Sequence, residues 1–486
     1  MSVGLSERFN ILQHSPLDAT FPHGDELRQE QLAEPGMTRW LPSRYTFRAR
    51  TTDGRLALWN SNSGAIAVFR ADQAPAIEAR LSRKGFEAAE EGIVKYLAER
   101  SFLVREGTDE YARFQLAFGK TQYRSDLLDL TLLASEDCNF RCVYCYEKFA
   151  RGTMSPWVRQ GVKDYVTSRL PGLRALTIGW FGGEPLYGWA AIEDLAPFFW
   201  KVAQERSLDF NCHMTTNGYL LTPEIAEQLL AWRIQQFQIT LDGPPTCHDH
   251  SRPARDGGQT FDVILANLRA LARRPEEGFR VDLRVNFTPQ NAPGIGELLD
   301  IIERELGQDP RFRMRFRPVG KWGGDQDANL EVCGLGEGEQ LMHEFERLAN
   351  ERGLTLADGF KSMSYFGAQV CYAARPYHLI VGASGKLMKC TIALDQDERN
   401  VVGQITPEGR VEIDSAKLAP WVAPAFEKDT QCQQCAVLPI CQGCSCPLPR
   451  ILRGERSCIP ARSSWKKSLL SLVERPPEAR SRTVAP

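Results

Sequence analysis

The sequence predicts an α/β chain: a partial (β/α)6 TIM-like barrel with a small N-terminal α+β module and a cysteine-rich C-terminal region. Three observations carry this. Six apolar, strand-like runs alternate with helical stretches between 128 and 318. Ahead of them, short strands are broken by turn signals. After them, eight of the chain's 14 cysteines fall between 371 and 458.

The six runs are "LDLTLLA" (128–134), "ALTIGWF" (175–181), "DFNCHMT" (209–215), "QFQITL" (236–241), "VDLRVNF" (281–287) and "FRMRFRP" (312–318). Helical patterns lie between them, and two open on cap signals: Ser155 before a proline, and Thr222 before Pro223-Glu224. Strand–helix alternation of this kind makes parallel βα units, whose ligands collect at the C-terminal strand ends. Upstream, "RYTFRARTTDGRLALWNSNSGAIAVF" (44–69) reads as three strands separated by Asp53-Gly54 and Asn62-Ser63-Gly64. "APAIEARL" and "EEGIVKYLAERSFLVREG" read as helices. The resulting domain plan is an arm at 1–38, an α+β module at 39–122, a barrel at 123–330, a linker at 331–370, a cysteine-rich domain at 371–460 and a tail at 461–486.

Composition narrows the function. A net charge of -2, from 59 basic and 61 acidic residues, gives no electrostatic footprint for nucleic acid. No apolar run approaches the length of a membrane span, and "MSVGLSERFNILQHSPLDAT" lacks a signal core, so a cytoplasmic location is expected. In that reducing compartment the cysteines serve as thiols or metal ligands.

The chemistry sits at the strand ends. After the first run come Cys138, Cys142 and Cys145. Three thiolates can hold three irons of a [4Fe–4S] cubane and leave the fourth open to a non-protein ligand. The second run ends in "WFGGEP", where Gly182 and Gly183 allow close approach to the backbone and Glu184 offers an acceptor for an ammonium group. The third ends in "TTNG" (Thr215, Thr216, Asn217), suited to a ribose or carboxylate, and the fourth in "TLDG", beginning at Thr240.

Cys138-x3-Cys142-x2-Cys145, with Tyr144 before the last cysteine and Gly-Gly-Glu-Pro and Thr-Asn-Gly following in order, resembles the radical S-adenosylmethionine (SAM) enzymes. The resemblance covers about 190 residues. It implies a SAM-binding cluster on the three cysteines, with Gly183 and Glu184 at the methionyl amine. Tyr144 would lie near the adenine, and Thr215, Thr216 and Asn217 near the ribose or carboxylate. In that family SAM is cleaved to a 5′-deoxyadenosyl radical. The C-terminal cysteines resemble the family's SPASM extension, which carries auxiliary [4Fe–4S] clusters. Cys432, Cys435, Cys441 and Cys458 would hold the outer one; Cys371, Cys390 and one or both of Cys444 and Cys446 would hold the inner one. The usual spacing after Cys441 is absent, so Cys444 and Cys446 stay as alternatives. Cys212, Cys247 and Cys333 read as ordinary thiols. The N-terminal module resembles the winged-helix-like recognition element of ribosomal-peptide-modifying enzymes, which adds a leader peptide as a β-strand.

Together these imply a peptide maturase: a precursor peptide as substrate, a flavodoxin or ferredoxin as electron donor, and a cross-link or other oxidation as outcome. No catalytic acid or base is identified. A sulfatase-type formylglycine maturase is an alternative, weakened because Thr391, not Asp, follows Cys390. A peptide epimerase is another. The non-enzymatic alternative is a zinc or iron–sulfur peptide-binding scaffold.

Overall fold

The computed structural model describes residues 37–82, 84–149, 152–334, 336–357, 364–459 and 461–474, in two compact units. The arm, apart from its last two residues, and the final twelve residues of the tail lie outside them.

The first unit comprises the described residues up to Tyr123, those at 364–374 and those from Ala423 onward. Its strands are β1 (Thr38–Pro42), β2 (Thr46–Arg50), β3 (Leu56–Asn60), β4 (Ile66–Phe69), β5 (Phe86–Ala88) and β6 (Leu103–Arg105). They form two antiparallel sheets, ordered β5–β1–β6 and β2–β3–β4. The three strands expected in 44–69 are β2, β3 and β4. The stretch expected as one helix over 90–107 is divided. Its helix ends at Glu99, Ser101 turns through a left-handed conformation (φ 61°), and Leu103–Arg105 pairs with β1.

The module and the cysteine-rich segment share one core, which revises the domain plan. Ala57 and Trp59 of the fully buried β3 pack with Val437, Ile440, Cys441 and Ile459. The region read as a tail supplies a helix, Ala461–Val473, whose Leu469 and Val473 enter the same core. Its Trp465 ring lies 4.8 Å from Phe47. A segment whose helices around its cysteines are only four to seven residues long buries little apolar area alone, and it shares the β2–β3–β4 sheet.

The second unit, residues 124–357 and 375–422 as described, holds an 11-stranded sheet. Its strands are β7 (Leu127–Ser135), β8 (Ala175–Gly182), β9 (Asp209–Thr216), β10 (Gln236–Thr240), β11 (Arg280–Phe287), β12 (Phe312–Pro318), β13 (Thr355–Leu356), β14 (His378–Val381), β15 (Lys386–Met388), β16 (Val401–Ile405) and β17 (Val411–Ile413). The first six are the runs read from sequence, within a residue at each end. From β7 to β13 neighbours follow chain order and pair in parallel. Right-handed crossovers in sequential order put every connecting helix on the same face. Leu128, Leu130 and Leu132 of β7 are buried there, while Asp129, Thr131 and Leu133 alternate onto the opposite, inner face.

Two further boundaries move. The expected linker contains the helix Glu337–Glu351, whose Phe345 ring meets Phe287 at 5.1 Å and Phe316 at 5.7 Å. It is therefore part of the barrel unit. Residues 375–422 also belong here, because β14 adds in parallel to the free edge of β7 and carries β15–β17 as an antiparallel extension. Thr222 caps its helix as expected, accepting from Ile225 N at 3.4 Å. Ser155 occupies the cap position, but its hydroxyl makes no capping bond. Among the described residues no helix is long and apolar enough to cross a membrane.

Candidate functional site

The loop after β7 carries Cys138, Cys142 and Cys145, and the protein's own hydrogen bonds set its shape. Ser135 Oγ and the Asp137 carboxylate brace its entry, accepting from Asp137 N at 3.1 Å and Cys138 N at 2.8 Å. Its far side lies along residues 251–255: Arg141 N donates to Pro253 O (3.0 Å), Val143 N to Ser251 O (2.9 Å) and Arg255 N to Asn139 O (2.7 Å). Buried Phe140 anchors the middle. The thiols are close enough for Cys138 to feel Cys142, and for Cys145 to feel both. Burial pushes all three up, Cys138 to about 12. Thiols so placed become thiolates only when a metal supplies the opposing charge.

Gly182 and Gly183 lie where the cysteine loop packs onto the end of β8. A side chain at Gly182 (φ +104°) would meet Ser135 O at 2.1 Å, and one at Gly183 would meet Asp137 O at 2.5 Å and Cys138 Cβ at 3.1 Å. The closest approach to this backbone is thus made by the cysteine loop. Any larger residue would push that loop away.

Glu184 is fully buried and already engaged. Oε1 accepts from Leu186 N at 3.0 Å and Thr216 Oγ1 at 2.7 Å, and Oε2 accepts from Asn217 N at 2.7 Å. Burial raises its pKa despite these bonds. Asn217 Nδ2 donates to Asn139 Oδ1 at 2.7 Å and lies 3.9 Å from the Cys138 sulfur. Glu184, Thr216 and Asn217 therefore tie the ends of β8 and β9 to the cysteine loop. Thr215 and Thr240 alternate onto the inner face instead, Thr240 being nearly buried.

Sequence reasoning missed the residues beneath the loop. The Tyr144 hydroxyl donates to Asp242 Oδ2 and accepts from Arg252 Nη1 (2.7 Å) and Asn286 Nδ2 (3.1 Å). Asp242, wholly buried, also accepts Asn286 N on Oδ1 at 2.7 Å, and its own N–H donates to His248 Nδ1 at 3.1 Å. Arg252 is 7% exposed. Burial opposes its charge, but Cys142, Tyr144 and Asp242 together hold its pKa well above the usual value. Burial raises the Asp242 carboxyl, and Arg252 draws it back. The only sequence signal was the Asp-Gly closing "TLDG", common at strand ends; nothing local pairs it with a tyrosine 98 positions earlier.

In the first unit, Cys432, Cys435, Cys441 and Cys458 line one cavity, together with Leu438, Arg456 and Arg462. Burial lifts Cys432 to about 11 and Cys441 to about 12. Arg462 Nη1 donates to Cys458 Sγ at 3.3 Å. Phe114, Phe118 and Phe426 pack behind Cys432 and Cys435. Cys444 is buried, and its carbonyl accepts from Cys371 N at 3.0 Å. Cys446 is half-buried at a helix N-cap. Cys390 is buried in the second unit. Among the described residues, no three His, Cys, Asp or Glu side chains converge as ligands of a single metal ion.

Residues 132–300 match the family model of the radical SAM superfamily, so the chain carries a radical SAM domain around this loop. Members of that family use a [4Fe–4S] cluster and SAM. Among curated proteins the chain is similar to the radical SAM cyclopropyl synthase TigE of Paramaledivibacter caminithermalis, 24% identical over 43% of this chain and 50% of that one. It is also similar to the mycofactocin maturase MftC of Mycobacterium tuberculosis, 24% identical over 56% of this chain and 66% of that one. The chain thus spans between half and two thirds of these relatives' lengths. Among solved structures, anSMEcpe with bound AdoMet shares the fold at 15% identity and TM-score 0.50, over 73% of this chain and 98% of that one. Streptococcus suis SuiB bound to its precursor peptide SuiA aligns at 14% identity and TM-score 0.46, over 86% and 97%.

Proposed function

We propose that this chain is a radical SAM maturase that oxidatively modifies a ribosomally made peptide. The observation that carries the reading is the joining of four strand ends. The cysteine loop, Glu184, Thr216–Asn217 and Asp242 are bonded into one buried network at the C-terminal ends of β7–β10. The similarity to a maturase and to a radical SAM cyclopropyl synthase supports a modifying enzyme, and the resemblance of the N-terminal module to a peptide-recognition element points to a peptide as its substrate.

In this reading Cys138, Cys142 and Cys145 hold three irons of the SAM cluster, leaving one position open. Cluster and SAM, when bound, supply the hydrogen-abstracting radical; the protein supplies orientation and shelter from water. Glu184, held by three donors, fixes the β8 and β9 ends in register and keeps Oε2 with room for one more donor, such as the methionyl ammonium. Thr215 and Thr240 offer hydroxyls on the inner face to the ribose or carboxylate. Tyr144 is pinned by Asp242, Arg252 and Asn286, so the loop's last cysteine is held in one orientation.

The four-cysteine cavity would hold an auxiliary cluster, with Arg456 and Arg462 offsetting its negative charge. When bound, such a cluster would supply electron-transfer capacity beside Cys432, Cys435, Cys441 and Cys458, and a flavodoxin- or ferredoxin-type protein would serve as electron donor to the enzyme. The peptide leader would add as a strand to an outer edge of the β5–β1–β6 sheet, since β2–β4 serve the cysteine core.

The test is anaerobic reconstitution followed by incubation with SAM and dithionite. The reading expects methionine and 5′-deoxyadenosine, and a mass change in a precursor peptide encoded beside this chain and co-expressed with it. Colourless, zinc-bound protein that leaves SAM intact would support the scaffold alternative instead.

A further inference from the structure

The inner face of β11 and β12 carries Arg284, Arg313, Arg315 and Arg317 beside Asp282. In register, Asp282 faces Arg313, Arg284 faces Arg315 and Asn286 faces Arg317, with Val281, Leu283, Val285 and Phe287 buried on the opposite face. Asp282 accounts for two of these cations. Its Oδ1 accepts from Arg313 Nη2 at 2.6 Å and its Oδ2 from Arg315 Nη2 at 2.8 Å.

Arg284 is held differently. Its Nε donates to Asn286 Oδ1 at 2.7 Å, and Asn286 Nδ2 donates in turn to the Tyr144 hydroxyl at 3.1 Å. A chain of bonds from the cysteine loop therefore aims this guanidinium. Among the described residues its two terminal nitrogens have no hydrogen-bond partner, and no carboxylate lies within ion-pair distance. Burial lowers its pKa and the neighbouring Arg317 adds to that, while Tyr144 and the more distant buried carboxylate of Asp242 act the other way. Arg284 is also the register partner of Thr240, so it stands where the expected SAM site borders the inner face. SAM does not resolve the imbalance, because its single carboxylate is outweighed by a sulfonium and an ammonium.

We propose that Arg284 receives a carboxylate of the peptide substrate, so that the segment entering the inner face presents an Asp or Glu beside the residue to be modified. The inference rests on the peptide-maturase reading. An oriented fork with both terminal nitrogens available suits bidentate recognition of a carboxylate, and a lysine would not reproduce it.

The experiment is selection of a random decapeptide display library on anaerobically reconstituted, SAM-saturated holoenzyme, alongside Arg284→Gln and Arg284→Glu variants checked for fold by circular dichroism. Wild type should enrich Asp or Glu at one position by about tenfold, the scale of one charge-assisted contact. Arg284→Gln should lose that enrichment, and Arg284→Glu should replace it with Lys or Arg. Peptides enriched without an acidic preference, or with the same preference in Arg284→Gln, would overturn the inference and leave the maturase reading standing. Enrichment of no peptide by wild type would overturn both. SAM titration separates the other source of a carboxylate: a tenfold loss of SAM affinity in Arg284→Gln would assign Arg284 to SAM and overturn the peptide assignment.

Discussion

The loop after β7 and the cavity around Cys432 are both built from cysteines, yet the protein shapes them in opposite ways. Backbone bonds to residues 251–255, the Glu184 tie and the Tyr144–Asp242–Arg252 network hold the first. The second stands on two four-residue helices, an apolar core and a rim of arginines. A site that must leave one coordination position open gains from a frame independent of the metal. A closed four-thiolate site can let the metal act as its frame.

The largest effect should come from breaking each set of ligands. Changing Cys138, Cys142 and Cys145 together to Ala should abolish SAM cleavage while leaving the thermal unfolding of the iron-free protein nearly unchanged. If the proposed auxiliary cluster is held there, changing Cys432, Cys435 and Cys441 together should instead leave the first unit open to proteolysis, because the metal would stand in for missing core. Iron analysis and limited proteolysis of the two triple variants check the pair. Equal protease sensitivity would erase the distinction.

Next comes the network under the loop. Asp242→Ala leaves Arg252 buried without its carboxylate and should cost about 3–5 kcal/mol. Tyr144→Phe, which removes one hydroxyl from the same network, should cost about 1–3 kcal/mol. Denaturant unfolding measures both, and a near-neutral Asp242→Ala would show that the network is not a frame.

Glu184→Ala orphans the Thr216 hydroxyl and the Leu186 and Asn217 amides, at about 1–3 kcal/mol for each group that water does not reach. Hydrogen exchange at Leu186 and Asn217 should rise sharply. Glu184→Gln, which keeps acceptor capacity on one oxygen, should fall between Ala and wild type.

How much of this was legible beforehand follows from the range of each interaction. The strands β7–β12 announce themselves locally, through apolar runs bounded by turns, and the three-cysteine loop through spacing alone. The Tyr144–Asp242 bond spans 98 positions and the Asn286–Tyr144 bond 142, so neither leaves a local trace. The same holds for the domain plan. Trp59 of β3 read as an ordinary strand residue, and only its packing against Val437 and Ile440 shows that the N-terminal strands complete the cysteine core. The helix Glu337–Glu351 was hidden by a glycine- and glutamate-rich stretch at its start, which lacks a capping residue at Gly336.

The smallest effect concerns Asp129, on the inner face near the N-terminal end of β7. Burial lifts its carboxyl from 3.8 to about 7, Lys389 pulling the other way. Between those values the folded chain binds a proton that the unfolded chain has released. Stability should therefore fall as pH rises from about 4 to 7 and level off above. Asp129→Asn should remove that slope and exceed wild type above pH 7 by about 1–3 kcal/mol, read from unfolding curves across pH.

The central claim is that the tied strand ends form a SAM-cleaving site. Its most direct test is the anaerobically reconstituted full chain, reduced with dithionite in the presence of SAM, with 5′-deoxyadenosine quantified by mass spectrometry. The account predicts 5′-deoxyadenosine and methionine in equal amounts from wild type and none from the Cys138/Cys142/Cys145 triple alanine variant. Iron-loaded wild type that binds SAM yet yields no 5′-deoxyadenosine would contradict it.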